Sequence, residues 1–221
     1  MIKHNYYLDS IEELERIKNR NLKPKLLLHA CCAPCSAFVL EFLSTHFNLT
    51  IYYNNDNIYP EVEYQKRLQE LIHYVELYNE KTKDNIQIII PEYNPKSFHQ
   101  LLEQYGNEPE GGIRCQLCYR MRMKEAYRYA KEHNYDYFTT VMTISRQKNS
   151  QILNVIGKEL EQEFLPVRYF YSDFKKKDGL LRRNELVKEY NLYNQQYCGC
   201  AFSYADYLKR VESKRSEQNE S

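Results

Sequence analysis

Apolar and polar residues run along this chain in blocks of two kinds that follow one another in turn. Lys25-Leu26-Leu27-Leu28-His29-Ala30 is a short apolar run of strand length, bounded by polar residues, and reads as a buried strand. Runs at 49–53, 86–90, 137–141 and 164–167 read the same way. Between them, apolar residues recur at helical spacing over 36–46, 60–78, 97–105, 115–133 and 150–160. Ser10 followed by Glu13 has the pattern of a capping box, so a first helix is predicted over 10–19. Strands alternating with helices imply a doubly wound, Rossmann-like or HUP-like α/β fold with a mostly parallel sheet. No repeat or linker interrupts the pattern, so one domain is expected over 1–212, with 171–212 as a helical C-terminal appendage and 213–221 as a polar, flexible tail.

Composition narrows the function. A hydrophobic content of 43% excludes a disordered chain. The formal charge of +1 means that a nucleic-acid partner must be held by a local basic patch rather than by overall charge. The longest apolar stretch is only a strand long, and Met1-Ile2-Lys3-His4-Asn5 lacks the apolar core of a signal peptide. The expectation is a cytoplasmic protein without a membrane partner.

All seven cysteines fall in three tight groups: Cys31, Cys32 and Cys35; Cys115 and Cys118; Cys198 and Cys200. In a cytosolic chain this grouping favours metal or redox chemistry over a disulfide framework. The first group follows the carboxyl end of the first core strand, where open α/β sheets place ligands. Cys115 and Cys118 follow the glycine-rich stretch Gly106-Asn107-Glu108-Pro109-Glu110-Gly111-Gly112 at a predicted helix N-terminus, where the helix dipole stabilises thiolate. Four thiolates suit a tetrahedral zinc or an iron-sulfur cluster, and spacing leaves both open beside a Cys-x-x-Cys redox pair.

Three segments taken together, His29-Ala30-Cys31-Cys32-Ala33-Pro34-Cys35, Glu110-Gly111-Gly112-Ile113-Arg114-Cys115-Gln116-Leu117-Cys118 and Tyr197-Cys198-Gly199-Cys200, resemble the QueH family of epoxyqueuosine reductases in order and spacing. Tyr137-Phe138-Thr139-Thr140, Tyr171 to Gly179 and Glu189 to Tyr193 resemble other marks of that family, so the likeness spans 26–202. It departs at Asp56, where proline is expected, and at Arg146, where proline usually follows the serine. Both departures concern loops near the expected substrate, away from the cysteines.

The resemblance implies a 4Fe-4S cluster on Cys31, Cys32, Cys115 and Cys118, and a redox-active disulfide between Cys198 and Cys200. Cys35 is left over, as a candidate ligand for an additional iron. The implied reaction reduces epoxyqueuosine to queuosine at the wobble position of tRNA, the last step of queuosine biosynthesis, with electrons from an unidentified donor. An epoxide oxygen leaving as water also needs a proton, for which Asp173 and His29 are candidates. Lys175, Lys176, Lys177, Arg182 and Arg183 form the densest basic cluster, and Arg114 and Lys148 flank the cysteines; these are the candidate tRNA contacts. Two rivals are a zinc module that binds nucleic acid without catalysis and an adenylating tRNA-modification enzyme of similar fold. The first has no need of Cys198-Gly199-Cys200, and the second should carry a glycine-rich phosphate loop where Cys31-Cys32-Ala33-Pro34-Cys35 stands.

Overall fold

The computed structural model of the chain describes residues 3–219. In chain order its elements are α1 (Tyr6–Asn19), β1 (Lys25–His29), α2 (Ala33–Leu43), β2 (Asn48–Tyr52), α3 (Glu61–Thr82), β3 (Gln87–Ile89) and α4 (Pro95–Leu102). There follow α5 (Ile113–Glu132), β4 (Tyr137–Thr140), α6 (Ser150–Glu163), β5 (Arg168–Tyr169), α7 (Gly179–Glu189) and α8 (Ala201–Asn219). The five strands form one sheet in the order β3-β2-β1-β4-β5, and every neighbouring pair is parallel. Parallel neighbours need crossovers, which the helices supply on both faces.

Two-residue periodicity in β1 shows why both faces must be covered. Leu26 and Leu28 join a core with Leu14 of α1, Leu40 of α2, Leu71 of α3 and Leu186 of α7. Leu27 points the other way, into a core with Met123 of α5 and Leu160 of α6. The strand order reverses between β1 and β4, so the loops leaving their carboxyl ends diverge and open a crevice.

Several boundaries differ from those read in the pattern. The capping box does not form: α1 begins at Tyr6, and Ser10 lies inside it, donating to the Tyr7 carbonyl at 2.6 Å. Glu13 is drawn instead to Arg168, at 2.8 Å, and to the Tyr137 hydroxyl. Helix α2 starts three residues earlier than predicted because Pro34 fits its first turn, which places Cys35 on the helix rather than before it. The last strand lies at Arg168–Tyr169, beyond the predicted 164–167, because α6 runs on to Glu163 and Pro166 has no N–H for a ladder. Helix α8 continues through 213–219, so the described part of the expected tail is helical, while residues 220 and 221 lie outside the described residues.

Gly157 shows how closely α6 approaches β5, since a Cβ there would lie 2.3 Å from the Tyr169 ring. Gly157→Ala is therefore expected to lower stability by about 1–3 kcal/mol in urea unfolding, the usual cost of overpacking. In an open helix the same change stabilises by roughly 1 kcal/mol, and a gain here would show that the ring does not close on the helix.

Candidate metal and redox site

The first thiol group owes its shape to the short connection between β1 and α2. The Ala30 N–H donates to the Tyr52 carbonyl at 3.1 Å, and Asn55 donates to the Ala30 carbonyl at 2.8 Å, so the turn is pinned from both sides. Cys32, in extended backbone (φ −174°, ψ 159°), then caps α2. Cys31 and Cys32 bring their sulfurs to 3.8 Å, and all three ligand atoms of Cys31, Cys32 and Cys35 lie within 4.8 Å of one another. Thiolates bound tetrahedrally at about 2.3 Å to one ion stand roughly 3.8 Å apart, so this triad is spaced to grip metal. Hydrogen bonds from Cys32 and then Cys35 hold the Cys31 thiol well below its ordinary range. Cys32 is correspondingly pushed up to about 12, chiefly by its bond to Cys31. These bonds favour the thiolate form of Cys31, the form that binds metal.

Cys115 and Cys118 lie in the first turns of α5, outside that triad. Gly111, at φ +88°, turns its N–H to donate to the Cys115 sulfur at 3.2 Å, a conformation open to glycine at little cost. Burial pushes Cys118 up to about 12. One turn further along α5, Arg122 is only 3% exposed, donates to the Asn55 carboxamide at 2.6 Å and has no carboxylate partner among the described residues. Burial opposes its charge, but the sulfurs of Cys118, Cys31 and Cys198 more than offset this.

Cys198 and Cys200 are free thiols on the turn that precedes α8. Two residues that the sequence reading did not single out meet this turn and its neighbourhood. Arg67 of α3 donates to the Cys198 carbonyl at 3.1 Å, and Gln195 donates to the Cys32 sulfur at 3.2 Å. Gln195 therefore ties the C-terminal segment to the first thiol group across 163 positions. No periodic signal marks either residue, because their partners are distant in sequence.

These parts enclose a cleft of about 310 Å³ at the strand-order reversal, lined by Cys31, Cys35, Lys148, Arg183, Gln195 and Cys198 among others. A second cleft, of about 630 Å³, carries Lys3, Arg146, Lys148, Lys175, Lys176 and Lys177. The two share Arg146, Gln147 and Lys148. Burial disfavours the charge of Lys148, yet Cys198, Cys31, Tyr119 and Cys35 together keep it protonated.

Not every predicted site residue reaches these clefts. Arg182, a candidate phosphate contact, is paired with Glu41 at 2.8 and 2.9 Å and with Glu185 at 3.2 Å. Arg114 is 4% exposed, donates to the Gly106 carbonyl at 2.7 Å and lies over the Phe202 ring. Asp173 lines the basic cleft rather than the cysteine cleft, accepting from Ser150 at 2.9 Å and from Lys175 at 2.7 Å. His29 is fully buried, bonded to Thr140 at 2.8 Å, and burial followed by Arg122 lowers it to about 3, so it is neutral at pH 7. Asp56, the departure from proline, accepts from the Asn94 N–H at 2.8 Å and secures its loop.

The donor set fits a metal-thiolate group. Thiolates around iron or zinc carry net negative charge, and Arg67, Arg122 and Lys148 face these sulfurs. The Nε of Arg122 has no acceptor among the described residues, which marks a place for further negative charge. Fold and site together define a doubly wound α/β protein whose metal-capable thiols open on a polar cleft. The family profile described as epoxyqueuosine reductase QueH matches residues 26–206. Relatives named epoxyqueuosine reductase QueH include one from Staphylococcus epidermidis, 42% identical over 82% of this chain and 76% of its own length. Another, from Streptococcus pyogenes, is 37% identical over 84% of this chain and 72% of its own. The chain belongs to the epoxyqueuosine reductase QueH family and is an oxidoreductase.

Proposed function

We propose that this protein reduces the epoxide of epoxyqueuosine in tRNA to the alkene of queuosine. The supporting observation is that Cys31 and Cys35 line one cleft with Cys198, so two thiol systems face the same space. In this reading Cys31, Cys32, Cys115 and Cys118 hold a 4Fe-4S cluster, Cys35 is a ligand for an additional iron, and Cys198 with Cys200 is the redox-active pair. The reaction breaks both carbon–oxygen bonds of the epoxide, forms one carbon–carbon double bond and releases water, consuming two electrons and two protons. When bound, the cluster would supply electrons one at a time. Cys198 and Cys200 carry electrons as a pair when they pass from dithiol to disulfide, and an external donor restores them. Lys148 lines the cysteine cleft where Asp173 does not, and its ammonium suits the charge that develops on the departing oxygen.

The anticodon loop is single-stranded, so a base can enter the cysteine cleft without a duplex being opened. Its phosphates would follow the basic cleft, past Lys3, Lys148, Lys175, Lys176 and Lys177, with Arg183 lining the adjoining cysteine cleft. No helix among the described residues is long and apolar enough to cross a membrane.

Anaerobic purification tests this reading. A brown protein containing iron and acid-labile sulfide, which converts epoxyqueuosine in tRNA as followed by nucleoside mass spectrometry, is expected. A colourless protein with stoichiometric zinc and no turnover would favour the binding module instead. For the RNA path, Lys176→Glu combined with Lys177→Glu should weaken tRNA binding and reduce the slope of log affinity against log salt by about 2. Lys175 is left intact because it holds Asp173. An unchanged slope would make the two lysines solvated surface only.

A further inference from the structure

Arg67 is a buried charge in contact with the turn that carries the third thiol group. Its side chain is 1% exposed, and its Nε donates to Glu63 of the same helix at 2.7 Å. The other two nitrogens donate away from the helix, Nη1 to the Cys198 carbonyl at 3.1 Å and Nη2 to the Tyr197 carbonyl at 3.2 Å. Those carbonyls belong to the two peptide planes that flank the Cys198 α-carbon. Holding both planes sets φ and ψ of Cys198, and with them the direction in which its side chain leaves the backbone. The next plane is held as well, since the Gly199 carbonyl accepts from the Tyr59 N–H at 2.7 Å.

Gly199 reflects the same closeness. Its φ of +126° is a glycine conformation, and a Cβ there would stand 3.0 Å from Arg67 Nη1. The guanidinium also lies over the Tyr197 ring, 5.4 Å from its centroid. Its charge faces the first thiol group too: burial opposes that charge, while Cys32, then Glu63 and Cys31, favour it. A planar fork can bridge one carboxylate and two carbonyls at once, whereas a lysine ammonium has a single nitrogen.

We propose that Arg67 is a positioning residue for the reductase reaction, clamping the Cys198-Gly199-Cys200 turn at a set distance and direction from the thiols of Cys31 and Cys32. The proposal rests on Cys198 and Cys200 being the redox pair. Arg67→Lys keeps the charge and loses the double grip. It should retain iron content, visible absorption and the KM for tRNA, while kcat falls roughly 10-fold or more, the scale of ångström misplacement. Alkylation of reduced Cys198 by iodoacetamide should quicken, because the released backbone lets the thiol turn outward; a purely structural role would lower the melting temperature without changing that rate. Gly199→Ala is the second variant, in which Arg67 stays in the core and a methyl group crowds Nη1. It should reproduce both the kcat loss and the faster alkylation, so the test survives if the lysine variant does not fold. Parent kcat and parent alkylation rate in the folded variants would overturn the proposal. Should Cys198→Ser itself turn over normally, the redox-pair reading fails, and the alkylation rate still reports separately whether Arg67 holds the turn.

Discussion

Serine in place of Cys198 or Cys200 is expected to leave tRNA binding and iron content intact and to lower steady-state reduction of epoxyqueuosine by roughly a thousandfold or more, the scale for members of a unit that acts together. Serine is close in size to cysteine, and the backbone of this turn is held by Arg67 and Tyr59, so the fold has little reason to change. A hydroxyl cannot carry the electron pair that a dithiol releases on forming a disulfide. The two single variants should therefore be as impaired as the double. A disulfide across a single intervening residue closes a small strained ring that Gly199 renders sterically tolerable, and strained disulfides are the easily reduced ones. Alkylation followed by mass spectrometry should find the pair oxidised in air-exposed parent protein, since a redox-active dithiol has oxygen as its acceptor there. Near-parent turnover by either serine variant would remove both cysteines from the mechanism.

Loss of the metal centre is the expected result of Cys118→Ala, and likewise of Cys115→Ala. Three remaining thiolates leave an incomplete shell, so visible absorption and bound iron should fall to background. Full iron and unchanged absorption in both variants would transfer the ligand role to Cys35 and the C-terminal thiols.

The sequence carried the local half of this protein. Apolar runs of strand length beside helical spacing are enough to predict parallel strands with helices on both faces, because each element writes its own period. The three thiol groups were visible for the same reason, being short motifs at element ends, and the place of Cys31 just past the end of β1 follows from the parallel fold. Charged side chains were different, since their roles depend on partners that no local pattern records. Arg182 reads as part of a basic run until Glu41, 141 positions away, takes its donors. Arg114 reads as a flank of the cysteines until burial under Phe202 removes it from the surface. Arg67 reads as one polar residue in a long helix until the fold brings the Cys198 carbonyl to it from 131 positions away. Residue type and spacing thus determined the elements and the candidate chemistry. Which charges are free, which are buried and which hold the thiols in place was decided only when the tertiary structure brought distant partners within hydrogen-bond reach.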